Sequence, residues 1–214
     1  MATLHYQDSQ AEITRLVVGP YDNNVFVVRC RATGDAVLVD AANEHEKLLK
    51  LCQTLSVRKV LETHGHWDHI QAVTQLRNAG YSVAVTKEDS SMLPSYDELL
   101  DDDSVLTIGR LRIRTIHTPG HTGGSMCFAI EGSPVLLSGD TLFPGGPGRS
   151  DNPAALLEMV ESIATRLLTL DGRTAVYPGH GDNTTIADAK REHAIFAAKQ
   201  HAADLCGDVT WEGA

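Results

Sequence analysis

The run Thr63-His64-Gly65-His66-Trp67-Asp68-His69 decides how the rest of the chain is read. Three imidazoles and a carboxylate fall within six positions of it, His64 to His69. Neutral imidazole nitrogen is a common ligand of zinc and iron, and carboxylate oxygen completes such sites. The preceding Val57-Arg58-Lys59-Val60-Leu61-Glu62 reads as a strand that stops at the motif. Asp68 then opens a helical pattern carried by Ile70, Val73 and Leu76. A carboxylate at such a start is favoured by the free amides of the first turn. His64 and His66 therefore leave a strand end, while Asp68 and His69 come from the turn into a helix. That arrangement is able to aim two pairs of ligands at two neighbouring metal positions.

Outward from the motif, three more residues of the same chemistry stand in similar surroundings. His121 lies in Thr118-Pro119-Gly120-His121-Thr122, Asp140 in Leu137-Ser138-Gly139-Asp140-Thr141, and His180 in Pro178-Gly179-His180-Gly181. Each follows a predicted strand and sits beside a glycine, which permits close backbone approach to a crowded site. Upstream, Ala36-Val37-Leu38-Val39-Asp40 is a short apolar strand ending in a carboxylate. Such a group either needs a buried partner or caps the helix that starts near Glu44.

The remaining pattern predicts strands over Ile13 to Val18, Val25 to Arg31, Tyr81 to Thr86, Val105 to Ile108, Leu111 to His117, Ser125 to Ile130, Pro134 to Leu137 and Thr174 to Tyr177. Helices are predicted over Glu44 to Leu55 and over Pro153 to Leu170, the latter with Leu156, Leu157, Val160 and Ile163 on one side. A last helix spans Ile186 to His201, with His193 and His201 facing solvent. Two runs of strands with helices outside them imply an α/β fold of two sheets packed face to face. Residues 1–214 are read as one domain.

Several polar features are read as structural. His117 precedes His121 by four residues, but Pro119 and Gly120 intervene, so the two need not face the same way. Asp101-Asp102-Asp103 is a solvated acidic turn, because consecutive residues do not face one another on a regular element. The loop Phe143-Pro144-Gly145-Gly146-Pro147-Gly148-Arg149 lacks the Gly-Lys-Ser/Thr ending of a nucleotide-binding loop.

Composition narrows the partners. Hydrophobic residues at 42% and charged ones at 21% describe an ordinary globular chain. A formal net charge of −10 with no Lys/Arg run argues against nucleic acid. No apolar run is long enough to span a membrane, and Met1 to Glu12 has no export-signal pattern. Cys30, Cys52, Cys127 and Cys206 are scattered without a Cys-X-X-Cys pair. They are read as reduced thiols, mostly buried, in a cytoplasmic protein.

The His-X-His-X-Asp-His run followed in order by His121, Asp140 and His180 resembles the metallo-β-lactamase superfamily, over roughly Val17 to Ile186. The resemblance implies an αβ/βα four-layer sandwich with the metals at one edge between the sheets. It implies two divalent cations, with zinc the first expectation and iron or a mixed Zn/Fe pair the alternatives. His64, His66 and His121 would hold the first metal, and Asp68, His69 and His180 the second, with Asp140 bridging. Asp68 would also act in catalysis, and Asp40 would orient the ligands from behind. The stretch Ser138 to Arg149 resembles the glyoxalase II branch, which cleaves acyl thioesters of glutathione with metal-bound hydroxide. Arg149 would there contact the small thiol carrier. The chain departs from that branch where Pro147 replaces the usual loop cysteine, and where only residues 183–214 follow the last motif in place of a C-terminal helical domain. Two alternatives accompany this reading. One is a mononuclear-iron persulfide dioxygenase, which Gly148-Arg149-Ser150-Asp151 resembles; the other is a lactone or ester hydrolase. His66 in place of glutamate disfavours the flavodiiron branch, and His69 the β-lactamase branch that carries arginine or cysteine there. Oligomeric state is not legible.

Overall fold

The computed structural model describes residues 1–213. The first half of the chain gives β1 (Thr3–Gln7), β2 (Ala11–Val18), β3 (Asn23–Cys30), β4 (Ala36–Val39), α1 (His45–Leu55), β5 (Val57–Leu61), α2 (Trp67–Ile70), α3 (Val73–Asn78), β6 (Ser82–Thr86) and β7 (Glu98–Leu100). Its seven strands form one sheet in sequence order, antiparallel from β1 to β4 and parallel from β4 to β7. The second half gives β8 (Val105–Ile108), β9 (Leu111–His117), β10 (Met126–Ile130), β11 (Val135–Gly139) and a hairpin of β12 (Leu142–Phe143) with β13 (Gly146–Pro147). Next come α4 (Pro153–Ser162), β14 (Ala175–Pro178), β15 (Thr184–Thr185) and α5 (Ile186–Ala197). The second sheet has the order β15-β14-β11-β10-β9-β8, with only β14 and β11 parallel.

Period-two side chains explain the layering. On β3, Phe26, Val28 and Cys30 face the second sheet, while Val25 and Val27 face α1 and α3. On β10, Met126, Phe128 and Ile130 meet the first sheet and Cys127 faces α4 and α5. Three apolar seams result: helix on sheet, sheet on sheet, and sheet on helix. This is the expected α/β sandwich with helices on both outer faces.

Local differences from the sequence reading have physical causes. The helix expected after the motif breaks in two, because the amides of Gln71 and Ala72 donate to the carbonyls of Ala42 and Ala41. The long helix from Pro153 ends its α-form at Ser162 and closes in a wider turn over Ile163–Leu167. Its buried face is Leu156, Met159, Ile163 and Leu167, which leaves Leu157 70% exposed. Of the edge strands, β7 (Glu98-Leu99-Leu100) has no alternation to mark it, and β1 carries only Leu4 and Tyr6 at period two. His193 and His201 do not simply face solvent: His193 lies edge-on to Trp211, and His201 stacks on Phe196. His117 is structural, as expected, bonding the Gly123 carbonyl.

The topology collects chemistry at one edge. β4, β5 and β6 run together, as do β11 and β14, and β9 shares the β11 direction because both oppose β10. Asp40, the 64–69 motif, His121, Asp140 and His180 therefore all follow the carboxyl ends of strands, where α/β sheets characteristically place their ligands. The two sheets are tied there by Met126 N–H donating to the Thr63 carbonyl and Asn24 N–H to the Gly179 carbonyl.

Candidate metal centre

The structure brings all seven motif residues together, although 116 positions separate His64 from His180. Ligand-type atoms of His64, His66 and His121 lie within 4.8 Å of one another; so do those of Asp68, His69 and His180, and those of His64, His69 and Asp140. Asp140 lies between the first two groups, its Oδ2 being 3.7 Å from His121 Nε2 and 3.5 Å from His180 Nε2. The two groups adjoin where the His64 and His69 ring centroids stand 4.2 Å apart, and within the second group His69 Nε2 and His180 Nε2 are 3.2 Å apart.

Four of the five rings are aimed by a partner on the outer side. Asp40 Oδ2 bonds His69 Nδ1 at 2.8 Å and also accepts from Thr63 Oγ1, while Asp40 Oδ1 accepts from Thr63 N–H. Thr63 Oγ1 in turn meets His64 Nδ1 at 3.0 Å. His121 Nδ1 bonds the Arg149 carbonyl and His180 Nδ1 the Tyr21 carbonyl, both at 2.8 Å. These contacts leave Nε2 of four histidines pointing inward. His66 differs, turning Nδ1 toward His121 Nε2 at 2.8 Å. Asp40 thus bonds His69 directly and reaches His64 through Thr63, and it does not cap α1, whose N-cap residue Glu44 makes no side-chain cap.

The electrostatics are those of a crowded site. Burial, then the neighbouring imidazoles, push His64 well below the ordinary histidine range and lower His66 as well. Burial opposes protonation of His69 too, but the Asp140 and Asp40 carboxylates prevail and hold it well above. Asp68 and Asp140 stay below the usual carboxylate range despite burial, held by the surrounding histidines and, for Asp68, by Asn23. Behind them burial, and then Asp40, raise Glu62 well above the usual carboxylate range, and its carboxyl accepts the Ala41 amide.

The residues fit a cation. His64 Nε2 and Asp140 Oδ1 are buried and have no hydrogen-bond partner, and an orphaned buried polar atom is costly unless something else satisfies it. Gly179 shapes the same space, since a Cβ there would stand 2.3 Å from Asp140 Oδ1 and 2.8 Å from His69 Cε1. Imidazole nitrogen with carboxylate oxygen is a ligand set for zinc or iron.

Sequence reasoning missed several contributors. Asn23 donates to Asp68 Oδ2 at 2.9 Å, and nothing in the turn-rich loop around it distinguishes it. Asp89, 2% exposed, accepts from the Gly65 and Gly124 amides and the Thr122 hydroxyl, tying the motif to the His121 loop. On the rim, Tyr21 and Trp67 are both more than half exposed and meet edge to face. Arg149 splits in function: its carbonyl holds His121, while its exposed guanidinium pairs with Asp151.

Comparison with known proteins agrees with this centre. The pattern of the Metallo-beta-lactamase superfamily matches residues 18–180. The hydroxyacylglutathione hydrolase GloC of Haemophilus influenzae is 31% identical over 77% of this chain and 89% of its own. A hydroxyacylglutathione hydrolase of Rhodospirillum rubrum is 33% identical over 74% of this chain but only 62% of its own. Among solved structures, the BLEG-1 B3 metallo-beta-lactamase superimposes with a TM-score of 0.75 at 30% identity, covering 84% of this chain and 96% of that one. ETHE1 from Myxococcus xanthus gives 0.74 at 27%, covering 88% and 85%. TTHA1623, solved in a di-iron-bound form, gives 0.71 at 30%, covering 83% and 96%. With the match running from the end of β2 to His180 and the histidine and aspartate cluster gathered at one sheet edge, the chain belongs to the metallo-beta-lactamase superfamily.

Proposed function

We propose that the protein is a binuclear metal-dependent hydrolase that cleaves an acyl thioester of a small thiol. The observation that carries this is the pair of adjoining ligating groups, His64/His66/His121 and Asp68/His69/His180, with Asp140 between them. Two divalent cations there, zinc in the first instance, would supply Lewis acidity and lower the pKa of bound water to about 7. Asp68 stands at the border of the second group, with Oδ2 fixed by Asn23 and 3.3 Å from His180 Nε2. It orients the attacking water and accepts its proton at Oδ2. A leaving group that needs little proton donation asks least of this carboxyl. A thiol, with a pKa of about 8.5, meets that condition far better than an amine. The names of the Haemophilus and Rhodospirillum relatives point to the same substrate class. Arg149 is the cation offered to the thiol carrier, which must compete with Asp151 for it.

Persulfide dioxygenation with one iron is the second reading, favoured by the ETHE1 likeness and by Gly148-Arg149-Ser150-Asp151. Metal analysis of protein purified without added metal, paired with a substrate panel, separates them. The panel contains lactoylglutathione, a lactone, a β-lactam and glutathione persulfide with an oxygen electrode. Two zinc equivalents with thioester turnover is the expected result. One iron with oxygen uptake and no hydrolysis would overturn the thioesterase reading.

A further inference from the structure

Gly207, in the segment after α5, stands 57 positions along the chain from Ser150, yet this segment packs against the loop that aims His121. Ser150 and Gly207 pair in both directions: Ser150 N–H donates to the Gly207 carbonyl at 3.1 Å, and Gly207 N–H to the Ser150 carbonyl at 2.9 Å. Trp211 N–H donates to the Gly145 carbonyl at 2.8 Å, and Glu192 on α5 accepts the Gly145 amide. Trp211 is fully buried, edge-on to Phe196 and His193, and anchors this strap in the outer apolar seam. Contact with the hairpin is close enough that a Cβ on Gly146 would stand 2.5 Å from the Val209 carbonyl oxygen. The strap therefore holds both ends of the segment 145–150. Within that segment Arg149, one residue from the Gly207 bridge, presents the carbonyl that accepts from His121 Nδ1.

We infer that the C-terminal strap, through Gly207 and Trp211, is a positioning element that fixes the Arg149 carbonyl on His121 and so sets the cation affinity of the His64/His66/His121 group. The inference rests on the binuclear reading of the site. A backbone acceptor behind a ligating histidine fixes its tautomer and ring direction, and loss of such a partner typically costs about 10- to 100-fold in metal affinity. The His69/Asp68/His180 group has different supports, Asp40 and the Tyr21 carbonyl, so the strap acts on one group and leaves the other unchanged.

The test is a zinc titration of the metal-depleted full chain against a chromophoric chelator, with thermal unfolding of the metal-free protein measured alongside. Trp211→Ala removes the anchor. Gly207→Ala is milder: a Cβ there meets nothing within 4 Å, and the change acts only through the positive φ of 87°. Trp211→Phe is the conservative control, because the buried Trp211 Nε1 has no partner to lose. We expect wild type and Trp211→Phe to take up two equivalents tightly. Gly207→Ala and Trp211→Ala should weaken one equivalent by about tenfold or more and leave the other unchanged. Lower melting temperatures with both affinities unchanged would make the strap merely structural and overturn the inference, while the binuclear reading stands. If Trp211→Ala does not fold, Gly207→Ala decides alone. A wild type that takes up no zinc or iron would overturn the binuclear reading and the inference with it.

Discussion

Two polar clusters share one edge of the sandwich and are built on opposite principles. Around Asp89, a buried carboxylate meets three donors: the Gly65 amide, the Gly124 amide and the Thr122 hydroxyl. On the other side of Gly65, five imidazoles and two carboxylates turn their inner atoms toward one another, and His64 Nε2 and Asp140 Oδ1 are satisfied by nothing in the protein. The first cluster is complete without a ligand and contributes stability. The second concentrates like groups at a cost to the fold, which a bound cation would recover. Binding capacity and stability are thus assigned to neighbouring groups, and a variant can disturb either one.

Metal removal should break the contrast most completely. Chelation returns the second cluster to its unsatisfied form and leaves the Asp89 cluster untouched. A ligand present at a thousandfold excess over its Kd stabilises by about 4 kcal/mol. Calorimetry of the metal-depleted protein should therefore show a melting temperature several degrees below that of the zinc-loaded form, with turnover lost. Equal melting temperatures would mean that the ligating cluster is not a cation site.

Asp89→Ala attacks the other side of the comparison. It leaves the Gly65 and Gly124 amides buried without an acceptor, while the Thr122 hydroxyl keeps Ser125 Oγ at 2.9 Å; each unsatisfied amide costs about 1–3 kcal/mol, less where water enters. Urea unfolding should show a loss of about 3 kcal/mol even in the metal-free protein, where the ligating cluster contributes nothing favourable. Zinc stoichiometry of the fraction that folds should stay at the wild-type value.

The same contrast explains what the sequence could and could not disclose. Residues proposed to ligate are restricted in type whatever surrounds them, so His64, His66, Asp68, His69, His121, Asp140 and His180 stand out from the chain by type and order. The strands that deliver them are legible because β3, β4, β10 and β11 are apolar on both faces. The supporting groups are not so constrained. Tyr21 and Arg149 contribute carbonyls, which every residue has, so no side chain announces them. Asp89 follows Lys87 and Glu88 in what reads as a charged surface turn, and only the fold reveals that its carboxylate points inward. The strap was missed for a similar reason. Val209 and Trp211 are two isolated apolar residues with no period, too few to predict an element.

A third carboxylate, Asp97, gives the solvated limit of the comparison. It is paired by Arg77 at 2.5 and 2.9 Å and accepts the Val83 amide, which fixes the start of β6. Arg77 first, then that amide, lower its pKa from 3.8 to about 2. Because the folded value is depressed, the pair contributes stability that is fully present above the unfolded pKa of 3.8 and is lost as pH falls through about 2. Its side chain is 34% exposed, so solvent screening limits the gain to about 1 kcal/mol or less. Asp97→Asn keeps an acceptor for Val83 but loses the charge. Its unfolding free energy should fall slightly below wild type at pH 6, and the two should converge as pH falls toward 2. A gap that persists at pH 2 would assign the effect to the Val83 hydrogen bond and not to the ion pair, drawing Asp97 closer to the uncharged logic of the Asp89 cluster.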